Sequence, residues 1–126
     1  MNVPENLMYT ESHEWVRKDG DKAIVGITDY AQGELGDIVF VEIETEGEKL
    51  SKGDKFGTIE AVKTVSDLFM PVSGTVSEVN PELGDKPELV NNDPYGKGWM
   101  ISIELEKPEE FDKLLTPAKY TELISG

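Results

Sequence analysis

The sequence predicts a mostly β fold with a few short helices, and two patterns lead to this prediction. Short runs rich in β-branched and aromatic residues recur over about residues 9–105, separated by Gly, Pro, Asn and Asp. Helix signals, such as an N-cap, Pro at a first turn or helical spacing of apolar residues, are found near residues 28–35 and after residue 108. For a chain of 126 residues we expect one domain over 1–126, with a strand core at about 9–105 and a helical segment at about 108–125.

The N-terminal part predicts a hairpin followed by a short helix. The strand-like residues 14–17 and 23–27 flank Asp19 and Gly20, a pair suited to the positive φ angles of a hairpin tip. Thr28 then has the side chain of an N-cap, and Gly36 suits the end of a helix. One or two helical turns therefore fit between these two residues.

The rest of the chain predicts further strands and two C-terminal helices. Pro108 suits the first turn of one helix, and Tyr120, Leu123 and Ile124 would share one face of the other. The predicted strands are residues 38–43, 56–62, 65–70, 75–79 and 99–105, with 88–90 as a candidate short strand; the predicted helices are 108–115 and 117–124.

A loose internal echo indicates how the strands pair. Residues 36–60 and residues 74–104 each read as a strand, a connection and a second strand, with similar Gly and Asp positions. Two copies of such a unit would form two facing sheets related by an approximate two-fold axis.

The net charge of the chain limits the classes of molecule that it is expected to bind. Acidic residues number 26 against 12 basic ones, giving a formal net charge of −14 at pH 7. Nucleic acids and anionic membranes are bound by clustered Lys and Arg, so we expect neither as a partner. The acidity serves solubility, and it also suits docking onto basic patches of other proteins.

The composition excludes several kinds of site. Without cysteine there is no disulfide, thiolate ligand or cysteine nucleophile, and one histidine is too few for an ordinary zinc site. No apolar run approaches the length of a membrane span, and the first residues lack the pattern of a secretion signal. We expect a cytoplasmic protein, or a mitochondrial matrix protein if this is a processed organellar form.

Lys63 is the residue whose position suggests a function. It lies between the strand-like residues 56–62 and 65–70, where a tight turn would expose it. A long flexible amine at such a tip can enter the active site of another protein and be acylated there. Most turn lysines are merely solvated, so position alone favours an ordinary solvated lysine.

Residues 60–67, EAVKTVSD, resemble the lipoylation motif of the glycine cleavage system H protein family. The similarity extends from about Tyr9 to the C-terminal helices. Further blocks of family-like order and spacing are residues 12–16, 26–32, 35–37, 40–42, 71–74, 79–80, 89–91 and 94–100.

The resemblance implies a barrel-sandwich hybrid, two small antiparallel sheets with quasi-two-fold symmetry, and a non-catalytic carrier with lipoate in amide linkage on Lys63. Glycine decarboxylase (P protein) would load an aminomethyl group, aminomethyltransferase (T protein) would remove it, and dihydrolipoyl dehydrogenase (L protein) would reoxidise the arm. A lipoate ligase or a lipoyl/octanoyl transferase would attach the lipoate. A monomer is the simplest expectation for an exposed carrier.

The resemblance also makes Ser12, Glu14 and Asp67 candidates for a cleft that shelters the loaded arm. The alternative is that they are an ordinary polar strand end and a turn acid. A hydrolase built on Ser12, His13 and Glu14 is disfavoured, because neighbours on a strand point to opposite faces and cannot form a dyad.

Two other carrier functions stay open. The chain could donate lipoyl or octanoyl groups to other 2-oxoacid dehydrogenase complexes through the same lysine, a role that the sequence does not distinguish. It could also be a lipoyl or biotinyl domain of another complex. Biotinyl domains usually have Met on both sides of the lysine and acyltransferase lipoyl domains Asp before it, whereas Val62 and Thr64 flank Lys63.

Overall fold

The computed structural model describes residues 2–125, and these residues form two antiparallel sheets. The strands in chain order are β1 (Met8–Tyr9), β2 (Glu14–Asp19), β3 (Lys22–Ile27), β4 (Ile38–Glu42), β5 (Lys49–Leu50), β6 (Lys55–Ala61), β7 (Val65–Phe69), β8 (Gly74–Val79) and β9 (Ile101–Leu105). The larger sheet has six strands in the order β1-β2-β3-β9-β8-β5, and the smaller has three in the order β4-β6-β7. The predicted mostly β fold with two antiparallel sheets is confirmed, although the sheets are unequal in size.

Short helices connect and flank the sheets. The α-helices are α1 (Asp29–Leu35), α2 (Leu89–Asn92) and α3 (Pro117–Ser125), and 3-10 helices span Pro81–Gly84 and Pro108–Lys113. The two units of the sequence echo each supply one antiparallel strand pair, β4 with β6 in the smaller sheet and β8 with β9 in the larger.

Two groups of buried side chains hold the fold together. The main core lies between the sheets and includes Val25, Ile59, Val76 and Ile103, all fully buried. A second group, Leu7, Tyr9, Trp15 and Tyr120, joins the ends of the chain to the larger sheet. Each fully buried aliphatic side chain contributes roughly 1.5–3 kcal/mol relative to exposure.

The predicted hairpin and the predicted first helix are both present. The hairpin forms with its tip one residue later than predicted: Gly20 has φ 63°, but Asp19 ends β2 and pairs with Lys22, so the turn residues are Gly20 and Asp21. Thr28 has an extended conformation, and its side chain accepts a hydrogen bond from Ala31 N at 3.2 Å, as an N-cap does. Gly36, with φ 83°, ends α1.

Three local predictions were wrong. Residues 88–90 were predicted as a strand, but they form the start of α2. Their backbone hydrogen bonds are local, since Leu89 N donates to Lys86 O and Val90 N donates to Pro87 O. The helix predicted over 108–115 is a 3-10 helix that ends at Lys113, and Leu115 instead exchanges backbone hydrogen bonds with Tyr9. On α3, Leu123 is 45% exposed and does not share the buried face of Tyr120.

Candidate functional site

Lys63 lies at the exposed tip of the β6–β7 hairpin, as predicted. Ala61 N donates to Thr64 O at 2.8 Å, which closes the turn around Val62 and Lys63. Val62 N donates to Asp37 O at 3.0 Å, so a second element also holds the turn. Val62 is 75% exposed, and the side chain of Lys63 is exposed as well. The amine is therefore accessible to another protein, while the backbone that carries it is fixed.

The side chain of Lys63 runs past the C-terminal end of α1. A Cβ atom placed on Gly36 would lie 3.4 Å from Cε of Lys63 and 3.9 Å from Nζ. Gly36 has a left-handed φ of 83°, which side chains with a Cβ rarely adopt. Glycine at this position therefore suits the backbone conformation that ends α1, beside the lysine stem.

A cleft lies between α1 and the open edge of β7. It encloses about 260 Å³ and brings together all three predicted cleft residues, Ser12, Glu14 and Asp67. Its other walls come from His13, Ile27, Tyr30, Ala31, Glu34, Leu35, Ile59, Ser66 and Leu68.

Glu14 is the buried acid of this cleft. Its exposure is 2%, and the hydroxyl of Thr10 donates to its Oε1 at 2.5 Å. Burial raises the pKa of Glu14 to about 7, against the opposing effects of the Thr10 hydroxyl and of the backbone N–H groups of Phe69 and Glu14, which lower it. A carboxyl with a pKa near neutrality can change its charge when a cation approaches.

A second and larger cavity lies on the other side of Glu14. It encloses about 540 Å³ and shares Ser12 and Glu14 with the cleft. Its remaining walls are Tyr9, Thr10, Glu11, Lys52, Gly53, Phe69, Met70, Pro71, Lys113, Leu114 and Leu115. Glu14 therefore lies between the cleft and the larger cavity, both of which are lined by residues of β7.

Asp67 and Ser12 are more exposed members of the cleft. Asp67 pairs with Thr58 of β6 in the sheet, and its carboxylate forms an ion pair with Lys55 at 3.3 Å. The Asp67 side chain is 49% exposed, so this ion pair contributes little to stability. Ser12 is exposed and lines both the cleft and the larger cavity.

His13 is held by aromatic neighbours. Its Nδ1 lies 2.9 Å from the hydroxyl of Tyr120, and its ring centroid lies 4.9 Å from that of Tyr30. Burial lowers the pKa of His13, against the opposing effect of Glu34. His13 therefore engages Tyr120 rather than forming a dyad with Ser12.

Sequence reasoning missed the wall that α1 contributes and the role of Tyr120. Tyr30, Ala31 and Leu35 follow helical spacing and were assigned only to a short helix. Tyr120 was assigned to a buried helix face, and nothing local indicated that its hydroxyl meets His13. In the part of the chain that the structure describes, no group of three or more acidic or histidine side chains is placed to hold a metal ion, and no helix has the length and apolar character to cross a membrane.

Comparisons with known proteins agree with this geometry. The family model described as glycine cleavage H-protein matches residues 7–126. The glycine cleavage system H protein of Bacteroides fragilis is 57% identical over 126 residues, with 100% of both chains covered. That of Salinibacter ruber is 58% identical over 123 residues, covering 98% of this chain and 99% of the other.

A solved structure is similar over nearly the whole chain. The crystal structure of a glycine cleavage system H protein from Mycobacterium marinum has a TM-score of 0.86 and 38% identity, and it covers 98% of this chain and 100% of its own. Family profile, sequence identity and fold thus agree over the full length, and the chain belongs to the glycine cleavage H-protein family.

Proposed function

We propose that this chain is the lipoyl-bearing shuttle of the glycine cleavage system, with lipoate in amide linkage to Lys63. Glycine cleavage H proteins are lipoate carriers, and the observation that carries the proposal here is the position of Lys63. Its amine is exposed at the tip of a hairpin, beside the C-terminal end of α1. The same helix lines a cleft that contains the buried carboxyl of Glu14. The chain itself catalyses no step; it supplies the tether.

The residues around Lys63 fit an acylated lysine. The stem lies beside Gly36, and the side chain of Lys63 is exposed, so an acyl group on Nζ would be accessible to solvent. When bound, lipoate would supply a dithiolane that can accept an aminomethyl group at glycine decarboxylase; transfer of that group at aminomethyltransferase would leave a dithiol, which dihydrolipoyl dehydrogenase would reoxidise. Tethering raises the effective concentration of the carried group at successive active sites.

The cleft would shelter the cationic end of the loaded arm. An ammonium group removed from water needs a carboxylate partner, which Glu14 provides, and Asp67 and Ser12 line the same cavity. Glu14 has a pKa of about 7, so a cation in the cleft would favour its ionised form. We propose that sheltering and loss of the Glu14 proton occur together.

Partner choice follows from the same surface. Glycine decarboxylase, aminomethyltransferase and dihydrolipoyl dehydrogenase would each admit the arm in turn, and a ligase or transferase would first acylate Lys63. The net charge of −14 suits partners that surround their active-site entrances with basic side chains. We propose that the chain serves them as a single-domain monomer.

Intact-mass analysis after expression with lipoate tests the attachment site. One added lipoyl group is expected on the wild type and on a Lys86→Arg control, and none on Lys63→Arg. Lys86 is also an exposed lysine and lies far from the hairpin in sequence. A lipoyl group retained by Lys63→Arg would contradict the assignment.

Glycine–bicarbonate exchange with glycine decarboxylase tests the shuttle role. The lipoylated wild type should support exchange. Lipoylated Glu14→Gln should support it too, although its cleft would shelter the loaded arm less. A lipoylated protein that passes its lipoyl group to another complex but supports no exchange would instead be a relay donor.

A further inference from the structure

One phenol hydroxyl connects the C-terminal helix to both sides of the cleft. The hydroxyl of Tyr120, on α3, lies 2.6 Å from Oγ1 of Thr28 and 2.9 Å from Nδ1 of His13. Tyr120 and Thr28 are both fully buried, so water does not compete for these hydrogen bonds. The partners are 92 and 107 residues away in sequence, and the contact is therefore purely tertiary.

The Thr28 side of this contact controls the start of α1. Oγ1 of Thr28 accepts the N–H of Ala31 at 3.2 Å and is the N-cap of the helix. The same Oγ1 is hydrogen-bonded to the hydroxyl of Tyr120, so both bonds depend on one position of this oxygen. Tyr30, Ala31 and Leu35 of α1 line the cleft, so the orientation of this helix sets the position of one wall.

The His13 side controls the opposite wall. His13 has φ 70°, a left-handed conformation that costs roughly 1–2 kcal/mol for a residue with a Cβ, so its neighbours must hold it. Its carbonyl accepts the backbone N–H of Thr28 at 3.0 Å, and its ring contacts Tyr120. His13 directly precedes Glu14, and the conformation of one sets the direction of the other.

We propose that Tyr120 is a positioning residue for the arm cleft: its hydroxyl holds the cap of α1 and the turn before Glu14 in register, and thereby keeps the cleft matched to the loaded arm. This inference rests on the proposed function for its consequence, but the link itself is a property of the unmodified chain. Tyr120 acts through Thr28 and His13, because it is not among the residues that line the cleft.

A matched pair of variants separates this role from simple packing. Tyr120→Phe keeps the ring that stacks on Tyr9 at 4.6 Å and removes only the hydroxyl. Tyr9→Phe removes a hydroxyl from the other ring of the same stack, but that hydroxyl donates to Pro4 O, away from the cleft. A loss of packing alone would affect the two variants alike.

The first measurement uses the protein without lipoate. In Tyr120→Phe we expect the amide of Ala31 to exchange with solvent roughly 2- to 10-fold faster, the range for loss of one neutral hydrogen bond, and the 15N resonance of His13 Nδ1 to shift. Tyr9→Phe should leave both signals unchanged. Thr28→Ser should exchange at Ala31 as slowly as the wild type, and Thr28→Val should exchange faster, as Tyr120→Phe does. This second pair of variants keeps the test available if Tyr120→Phe folds poorly.

The second measurement uses the loaded protein. We expect the carried group to be lost to hydrolysis roughly 2- to 10-fold faster in Tyr120→Phe than in Tyr9→Phe. Equal exchange rates, equal His13 signals and equal hydrolysis in the two variants would overturn the role of Tyr120. If the wild type protects the carried group from hydrolysis no better than a free lipoyl arm does, the proposal that the cleft shelters the arm is wrong. The amide exchange rates would still show whether Tyr120 holds Thr28 and His13 in place.

Discussion

Gly36 lies beside the side chain of Lys63 at the junction of α1 and the β6–β7 hairpin. A Cβ on Gly36 would lie 3.4 Å from Cε of the lysine, and the φ of Gly36 is 83°. The end of α1 and the hairpin tip are thus adjacent in the fold. Val62 N strengthens this junction by donating to Asp37 O at 3.0 Å.

Substitution of Gly36 by Ala should both destabilise the protein and slow lipoylation of Lys63. The left-handed φ would cost roughly 1–2 kcal/mol, and the new methyl group would come into van der Waals contact with the lysine stem and restrict its movement. Gly33→Ala is the matched control, because Gly33 lies in the same helix with nothing within 4 Å of its Cβ position. It should stabilise the fold by up to about 1 kcal/mol. Urea unfolding and the rate of lipoylation by a ligase measure both effects.

Glu14 should make the fold less stable as the pH rises. Its folded-state pKa is about 7, raised by burial from 4.5, so the folded chain binds more protons than the unfolded chain between these values. The free energy of unfolding therefore falls with pH over this window, and the whole loss is present above pH 7. Relative to wild type, Glu14→Gln should gain roughly 1–3 kcal/mol between about pH 4.5 and pH 7.5.

Urea unfolding across that pH range measures the effect, with Glu11→Gln on the exposed neighbouring turn as the control. A difference between Glu14→Gln and wild type that is independent of pH would contradict the assigned shift.

Thr10 should keep the pKa of Glu14 from rising further. Its hydroxyl donates to the carboxylate at 2.5 Å, and this bond favours the ionised form. In Thr10→Val we expect a higher pKa for Glu14 by carboxyl 13C NMR, and a loss of roughly 1.5–3 kcal/mol in stability above pH 7 that shrinks in acid. Thr10→Ser retains the donor and should restore both. Unchanged titration of Glu14 in Thr10→Val would rule the bond out as a determinant.

Asn91 should be the most sensitive residue of α2. Its Nδ2 donates to Gly36 O and to Gln32 Oε1, each at 2.9 Å, and its Oδ1 accepts the N–H of Ile38 at 2.9 Å. Asn91→Ala leaves these groups without a partner, and we expect a loss of roughly 1–3 kcal/mol with faster amide exchange at Ile38. The adjacent exposed Asn92, changed to Ala, should have little effect. Similar melting temperatures for the two variants would show that the Asn91 contacts contribute nothing.

The parts of the fold that sequence predicted are those whose cause is local. The hairpin at Gly20 and the caps at Thr28 and Gly36 depend on φ preferences and on side chains a few residues away. Residues 88–90 were misassigned because a short apolar run suits a strand and a buried helical turn equally, and the local backbone bonds that decide it are not visible in composition.

The candidate site was only half predictable. The position of Lys63 followed from the turn and from the motif around it, whereas the cleft depends on contacts between distant segments. The hydroxyl of Tyr120 meets Thr28 across 92 residues, and no periodicity encodes such a contact. The raised pKa of Glu14 likewise depends on burial that the finished fold alone creates.

The two backbone hydrogen bonds at the hairpin tip would determine how a group attached to Lys63, as we propose, reaches its targets. Because Ala61 N and Val62 N are both bonded, and because residues 62–64 contain no glycine, the origin of such an arm would be fixed relative to the domain. The volume that the arm explores would then be set by the rotatable bonds of the lysine and its acyl group alone. A partner enzyme would have to bring its active site within that volume by orienting the whole domain, so recognition of the domain and delivery of the carried group would be a single event.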